Sequence, residues 1–144
     1  MAEIREMTKD SSDAGSDLVL FSEVALTGLV NNDDPAHDRT FGQQIPGPVT
    51  DQLSDFAREF GIWLAIGLFE TDEFKLYDAA ILLNPEGEIA LKYRRIHPGW
   101  HGEYADPFVF CQGSEMQKVD TPFGSISLAI CGDLFDYQIS TDIR

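Results

Sequence analysis

The chain has 144 residues, 43% of them hydrophobic and 24% charged, an ordinary globular mix long enough for one domain with a real core. Its 10 basic residues stand against 25 acidic ones, a net charge of −15. That balance leaves no basic patch to neutralise phosphates, so nucleic-acid binding is excluded, and an anionic membrane surface would repel the chain.

The acidic excess is spread along the chain instead of forming a tail. Asp is favoured and Lys scarce, as suits a surface solvated at high salt, and a halophilic source is the expectation that follows. No apolar stretch approaches the length of a membrane span, and the N-terminus lacks the apolar run of a secretory signal. The two cysteines, Cys111 and Cys131, are expected as free thiols in a reducing cytoplasm. His37, His97 and His101 are scattered and no Cys-x-x-Cys occurs, so neither a metal site nor a cofactor is expected.

In chain order, Met1 to Asp13 is polar with Ile4 and Met7 as weak helical anchors, which predicts a helix ending near Gly15. Asp17 to Glu23 contains the apolar run Leu18-Val19-Leu20-Phe21 and reads as a buried strand with Glu23 at its C-terminal end. A carboxylate there is an exposed strand end or a group shown to a pocket. Ala25 to Pro48 is rich in Gly, Asn, Asp and Pro, and its length marks a functional loop or lid. Gly47-Pro48 then opens a helix with Val49, Leu53, Phe56, Ala57 and Phe60 on one face and Asp51, Asp55 and Glu59 opposite, capped by Gly61. Strands are predicted over Ile62 to Glu70, Leu76 to Asn84 and Glu88 to Ile96, joined by the polar turn Thr71 to Lys75 and the hairpin turn Pro85-Glu86-Gly87. His97 to Glu115 is a second long irregular segment, and Thr121-Pro122-Phe123-Gly124 is a turn. Tyr137 to Arg144 begins a helix, and the sequence shows no repeats.

The stretch from Ser125 to Asp136 organises the rest. Ile126, Leu128 and Ile130 alternate with Ser127 and Ala129, compatible with a strand packed on both faces. The run stops at Cys131-Gly132-Asp133. A thiol at the end of a buried strand, followed by Gly, sits where the chain can turn sharply and present a side chain to a pocket, and Gly132 permits the strained backbone of such an elbow. Crevices in open α/β sheets form at the C-terminal ends of strands, so Cys131 and Glu23 hold equivalent topological places. A free Cys is also commonly a small buried hydrophobe, and the stretch by itself fits that role too.

Phe21-Ser22-Glu23, Lys92-Tyr93-Arg94-Arg95-Ile96-His97 and Ile130-Cys131-Gly132-Asp133 together resemble the nitrilase superfamily, the carbon–nitrogen hydrolases. The Gly-Pro helix entry, the Asn-Pro-Glu-Gly hairpin and the Thr-Pro-Phe-Gly turn agree with the same family, along nearly the whole chain. The resemblance implies an α/β fold, a four-layer α-β-β-α sandwich usually doubled by dimerisation, hence a homo-oligomer. It also implies a Glu general base at Glu23, a Cys nucleophile at Cys131 and hydrolysis of a small-molecule amide through a thioester. Glu103 matches a second family Glu that orders the site, although its place in a long loop fits a solvated Glu as well. Asp133, in a Cys-x-Asp pattern, points to amides and carbamoyl compounds over nitriles, and His97, Trp100 and His101 are placed to line the pocket.

Two departures matter. Arg95 stands where the family pattern ends in the catalytic Lys. Lys92 is an odd number of residues away and should face the opposite side of a regular strand, so it is no substitute. Arg95 can offer charge and hydrogen bonds to an oxyanion but cannot give up a proton near neutral pH; the alternative is a surface salt-bridge residue. The chain is also shorter than the family. It reads as a partial hydrolase domain over residues 1–144, with the first strand and the C-terminal half missing and the sandwich therefore incomplete. The competing expectations are a catalytically impaired binding or scaffold protein, an inactive fragment, or an α/β domain with two structural thiols.

Overall fold

The structure, a computed structural model, describes residues 1–142. The elements are α1 (Ala2–Asp13), β1 (Leu18–Leu20), α2 (Pro35–Asp38), α3 (Pro48–Phe60), β2 (Trp63–Asp72), β3 (Lys75–Leu83), β4 (Ile89–Arg94), β5 (Lys118–Thr121), β6 (Gly124–Ser127) and α4 (Tyr137–Asp142), with a 3₁₀ turn over Cys131–Phe135 before α4. A four-stranded sheet runs in the order β1-β2-β3-β4. β1 is parallel to β2, with Leu18 opposite Trp63, and the other pairs are antiparallel hairpin neighbours.

The alternation of side chains along β2 and β3 gives the sheet two apolar faces. Leu64, Ile66, Leu68, Ile81 and Leu83 meet Ile4 of α1 and Leu53 and Ala57 of α3, the stripe expected of an amphipathic helix. Gly61 ends α3 at φ 61°, a left-handed cap that a side chain disfavours. On the other face Ala65, Leu82 and Leu91 meet Val119, Ile126 and Leu128 of the β5–β6 hairpin and its continuation. The layers are therefore helix, sheet and hairpin, an incomplete form of the α-β-β-α sandwich.

Two strands differ from expectation. β1 is three residues long and Leu20 is 73% exposed, because among the described residues β1 pairs only with β2. The strand before Cys131 is not packed on both faces: β6 ends at Ser127, pairs only with β5 among the described residues, and its residues are exposed or half-buried. Leu128 and Ile130 supply the inward contacts beyond its end.

The two long irregular segments are tied to each other. Buried Asp38 accepts from the backbone N–H groups of Asn32 and Asp33, and Asp33 in turn accepts from Gly102 N–H at 3.0 Å. Asn31 Nδ2 donates to Trp100 O at 2.9 Å. The second segment is pinned beside β3 by Leu76 N–H to Val109 O and Cys111 N–H to Leu76 O.

Candidate active site

Gly67 positions the first candidate residue. Where the chain leaving β1 crosses β2, a Cβ on Gly67 would lie 2.7 Å from Glu23 Cα and 2.8 Å from Val24 N. The missing side chain lets the backbone lie flat on the strand, where Ala25 N–H donates to Gly67 O at 2.9 Å. Val24 takes a φ of 43°, rare for a β-branched residue, at the turn that follows Glu23.

Arg95 follows β4 directly and is 4% exposed, so it is not a surface residue. Its Nη1 donates to Glu23 Oε1 at 2.8 Å and to Asp78 Oδ2 at 3.2 Å. Asp78 lies in mid-strand on β3 and is 1% exposed. Burial, and then Glu23 beside it, push its carboxyl up to about 8 against the opposing pull of Arg95. Lys92 and Arg94 take the other face and reach Glu70 at 2.9 and 2.7 Å, as strand parity requires.

The elbow is present, but its strain falls elsewhere than expected. Cys131 itself holds a φ of 40°, and Gly132 is not in the left-handed region. A non-glycine residue there is a strained position of the kind that clusters at functional sites. Gly132 instead provides room: a Cβ would lie 2.3 Å from Arg95 Nη2 and 2.8 Å from His97 Nδ1. Asp133 is fully buried and locks the turn. It accepts from Tyr93 Oη at 2.7 Å, Ile130 N–H at 2.9 Å, His97 N–H at 2.8 Å and Ile96 N–H at 3.1 Å. Burial, and then Asp133, push the Tyr93 phenol well above its ordinary range.

Glu23 and Cys131 border one cavity of about 390 Å³, lined by residues 20–23, 65–67, 80 and 128–131. Apart from Ser22, Glu23 and Cys131 its walls are apolar. Cys131 is exposed, and both it and Cys111 are free thiols. Arg95 is not in the lining; it meets the cavity through Glu23 and lies against Gly132.

Glu103 is not brought to this group. It is exposed in its loop and outside the cavity lining. His97, Trp100 and His101 do not line the cavity either. Trp100 packs with Phe69 and Phe110 in a core cluster, and the His101 ring lies against Gly102 O and Gln112. His97 is held by Gly99 N–H. The Trp100 ring finds a drier place in that cluster than at an open cavity. Asp78 and Tyr93 are the residues that sequence reasoning missed. The signal for Asp78 was a lone acid inside the apolar run Leu76 to Leu83, since an unpaired buried carboxylate is rare.

Among the described residues no group of three or more His, Cys, Asp or Glu is placed to hold a metal ion, and no helix is long and apolar enough to cross a membrane.

The chain is similar to deaminated glutathione amidase of Mus musculus, 29% identical over 141 residues, covering 90% of this chain and 43% of that protein. It thus spans less than half of that relative's length. A carbon–nitrogen hydrolase from Helicobacter pylori G27 shares the fold, with a TM-score of 0.81 at 20% identity over 99% of this chain and 48% of the other. So does an amidase variant from Nesterenkonia sp. AN1, with the acetamide moiety of fluoroacetamide covalently added at its active site cysteine (TM-score 0.80, 19% identity, 99% and 52% covered). The family model described as carbon-nitrogen hydrolase matches residues 1–139, and on that match the chain belongs to the carbon–nitrogen hydrolase family.

Proposed function

We propose that these residues form the catalytic part of an amidase acting on a small-molecule amide or carbamoyl compound, with Cys131 as nucleophile, Glu23 as general base and Arg95 as electrostatic stabiliser. One observation carries the reading: Glu23 and Cys131 border the same cavity while Arg95 Nη1 holds Glu23 at 2.8 Å. The amidase among the relatives and the acetamide adduct on a neighbour's cysteine support an amide as substrate class.

In this reading the Cys131 thiol gives its proton to Glu23, and sulfur bonds to the amide carbon. The C–N bond breaks as the leaving amine takes that proton, leaving a thioester. Water, deprotonated by Glu23, then forms the C–O bond as the C–S bond breaks; the acid leaves and the thiol is restored. Arg95 offsets part of the oxyanion charge in both steps from behind Glu23 and beside Gly132. Glu103 is exposed and outside the cavity lining among the described residues, so it is given no step. The whole protein is read as a cytoplasmic homo-oligomer, which gel filtration of the native protein would test.

The test is ammonia release from short aliphatic amides, with mass spectrometry of the Cys131 peptide for an acyl adduct. Cys131→Ala should abolish both. A chain that turns over no amide and never acylates Cys131 is not an amidase. A second reading, a non-catalytic binding relative, is favoured by the double engagement of Arg95 Nη1 with two carboxyl groups. A large gain of activity in Arg95→Lys would favour it; a loss would mean that Arg is the adapted residue.

A further inference from the structure

Asp78 is a buried titratable group that the proposed chemistry leaves unused, and it touches the machinery directly. We propose that Asp78 is a positioning residue, which anchors Arg95 and carries the one proton of the Glu23–Asp78 pair so that the three groups together carry no net charge. The inference rests on the hydrolase reading for its purpose, but not for its geometry.

Both carboxyl groups bond the same nitrogen, Arg95 Nη1, at 2.8 and 3.2 Å. One guanidinium offsets one negative charge. Two ionised carboxylates beside it, removed from water, would leave a charge uncompensated, and like charges sharing a site cannot both ionise cheaply. The proton belongs on Asp78, because its side chain is 1% exposed while that of Glu23 is 21% exposed and borders the cavity. Asp78 Oδ1 is buried without a hydrogen-bond partner, which suits a neutral acid better than a carboxylate oxygen. Burial and the neighbouring Glu23 raise its affinity for the proton, in agreement.

The groups facing Asp78 are few. Glu23 comes from the chain after β1 and Arg95 from the end of β4. Tyr93 lies on the same face of β4, but its hydroxyl is committed to Asp133. The residue paired with Asp78 on β2 is Phe69, which is uncharged. Glu23 therefore borders the cavity while Asp78 keeps the second carboxyl neutral and Arg95 in place.

The experiment is infrared difference spectroscopy of the chain, read at the carbonyl stretch of a protonated carboxylic acid. At about pH 6.5 the wild type should show that band, and Asp78→Asn should lose it. Glu23→Gln should lose it as well, since Asp78 then becomes the only acid beside Arg95 and ionises. In the wild type the band should bleach as pH rises through about 8. If Asp78→Asn fails to fold, Glu23→Gln and the wild-type titration still decide. A wild type with no such band at pH 6.5, or a band unmoved in the variants, overturns the proposal. Where amide turnover is present, Asp78→Asn should keep kcat/KM within about threefold and Asp78→Ala should lose more than tenfold, because Asn preserves the hydrogen bonds of the neutral acid. An absence of turnover would sink the hydrolase reading and leave the spectroscopic result standing.

Discussion

The Tyr93 hydroxyl donates to Asp133 Oδ2 at 2.7 Å, joining β4 to the elbow across 40 residues of chain. With three backbone N–H groups on the same carboxylate, this contact sets how the Cys131 turn sits over the sheet. Tyr93→Phe should cost about 1–2 kcal/mol, the worth of one buried hydrogen bond to a charged group. Asp133→Ala strands three backbone donors as well and should cost more than about 3 kcal/mol. Urea unfolding measures both, and a loss below about 0.5 kcal/mol for Asp133→Ala would remove the turn from its supposed dependence on this residue.

Gly132 leaves no room for a side chain beside Arg95 Nη2. Gly132→Ala should therefore push Arg95 off Glu23 and lower kcat on the order of 100-fold, the scale of one lost oxyanion donor. Far-UV circular dichroism should stay unchanged. Full activity in this variant would mean that Arg95 has no part in the chemistry.

Glu70 and Lys92 separate structure from site. Glu70 is 1% exposed and takes both Lys92 and Arg94 on the sheet face opposite Asp78. Glu70→Ala leaves these cations without their buried partner and should cost about 3 kcal/mol. Lys92 is exposed, so Lys92→Ala should cost under about 1 kcal/mol and leave turnover unchanged. Thermal melts and amide assays on the two variants check this, and a collapse of turnover in Lys92→Ala would reassign the cation of the site.

Asp78 makes stability depend on pH. Its carboxyl is raised from 3.8 to about 8 in the folded chain, so between those values the folded state holds a proton that the unfolded state releases. That contribution is present at the acidic end of the window and is lost as pH rises through about 8. Asp78→Asn should flatten the fall in Tm between about pH 6 and pH 8. Parallel slopes in wild type and variant would show that Asp78 is ionised throughout.

The charge of −15 predicts a salt response. Molar salt screens the repulsion among the acidic side chains and should raise Tm by about 4 °C or more, near 1 kcal/mol for a chain of this size. A flat Tm from low salt to molar salt would remove the halophilic expectation.

The amino-acid sequence by itself determined the local elements and which side of a strand each residue takes. The helical spacing of Leu53 and Ala57 gave α3, and the odd interval from Lys92 to Arg95 put their side chains on opposite faces. It also marked Glu23 and Cys131 as residues that follow apolar runs, although the strands themselves stop earlier, at Leu20 and Ser127. Only the tertiary structure decided which of these meet. Arg95 and Glu23 are 72 residues apart, and their contact depends on Gly67 and Gly132 leaving room for backbone and guanidinium. Periodicity records local burial and does not record such distant approaches, so Asp78 stayed hidden and Glu103 could be placed at the site only by resemblance. A buried carboxyl group finds its meaning from partners that other strands deliver, and a loop carboxylate with no such partner is most stable in water.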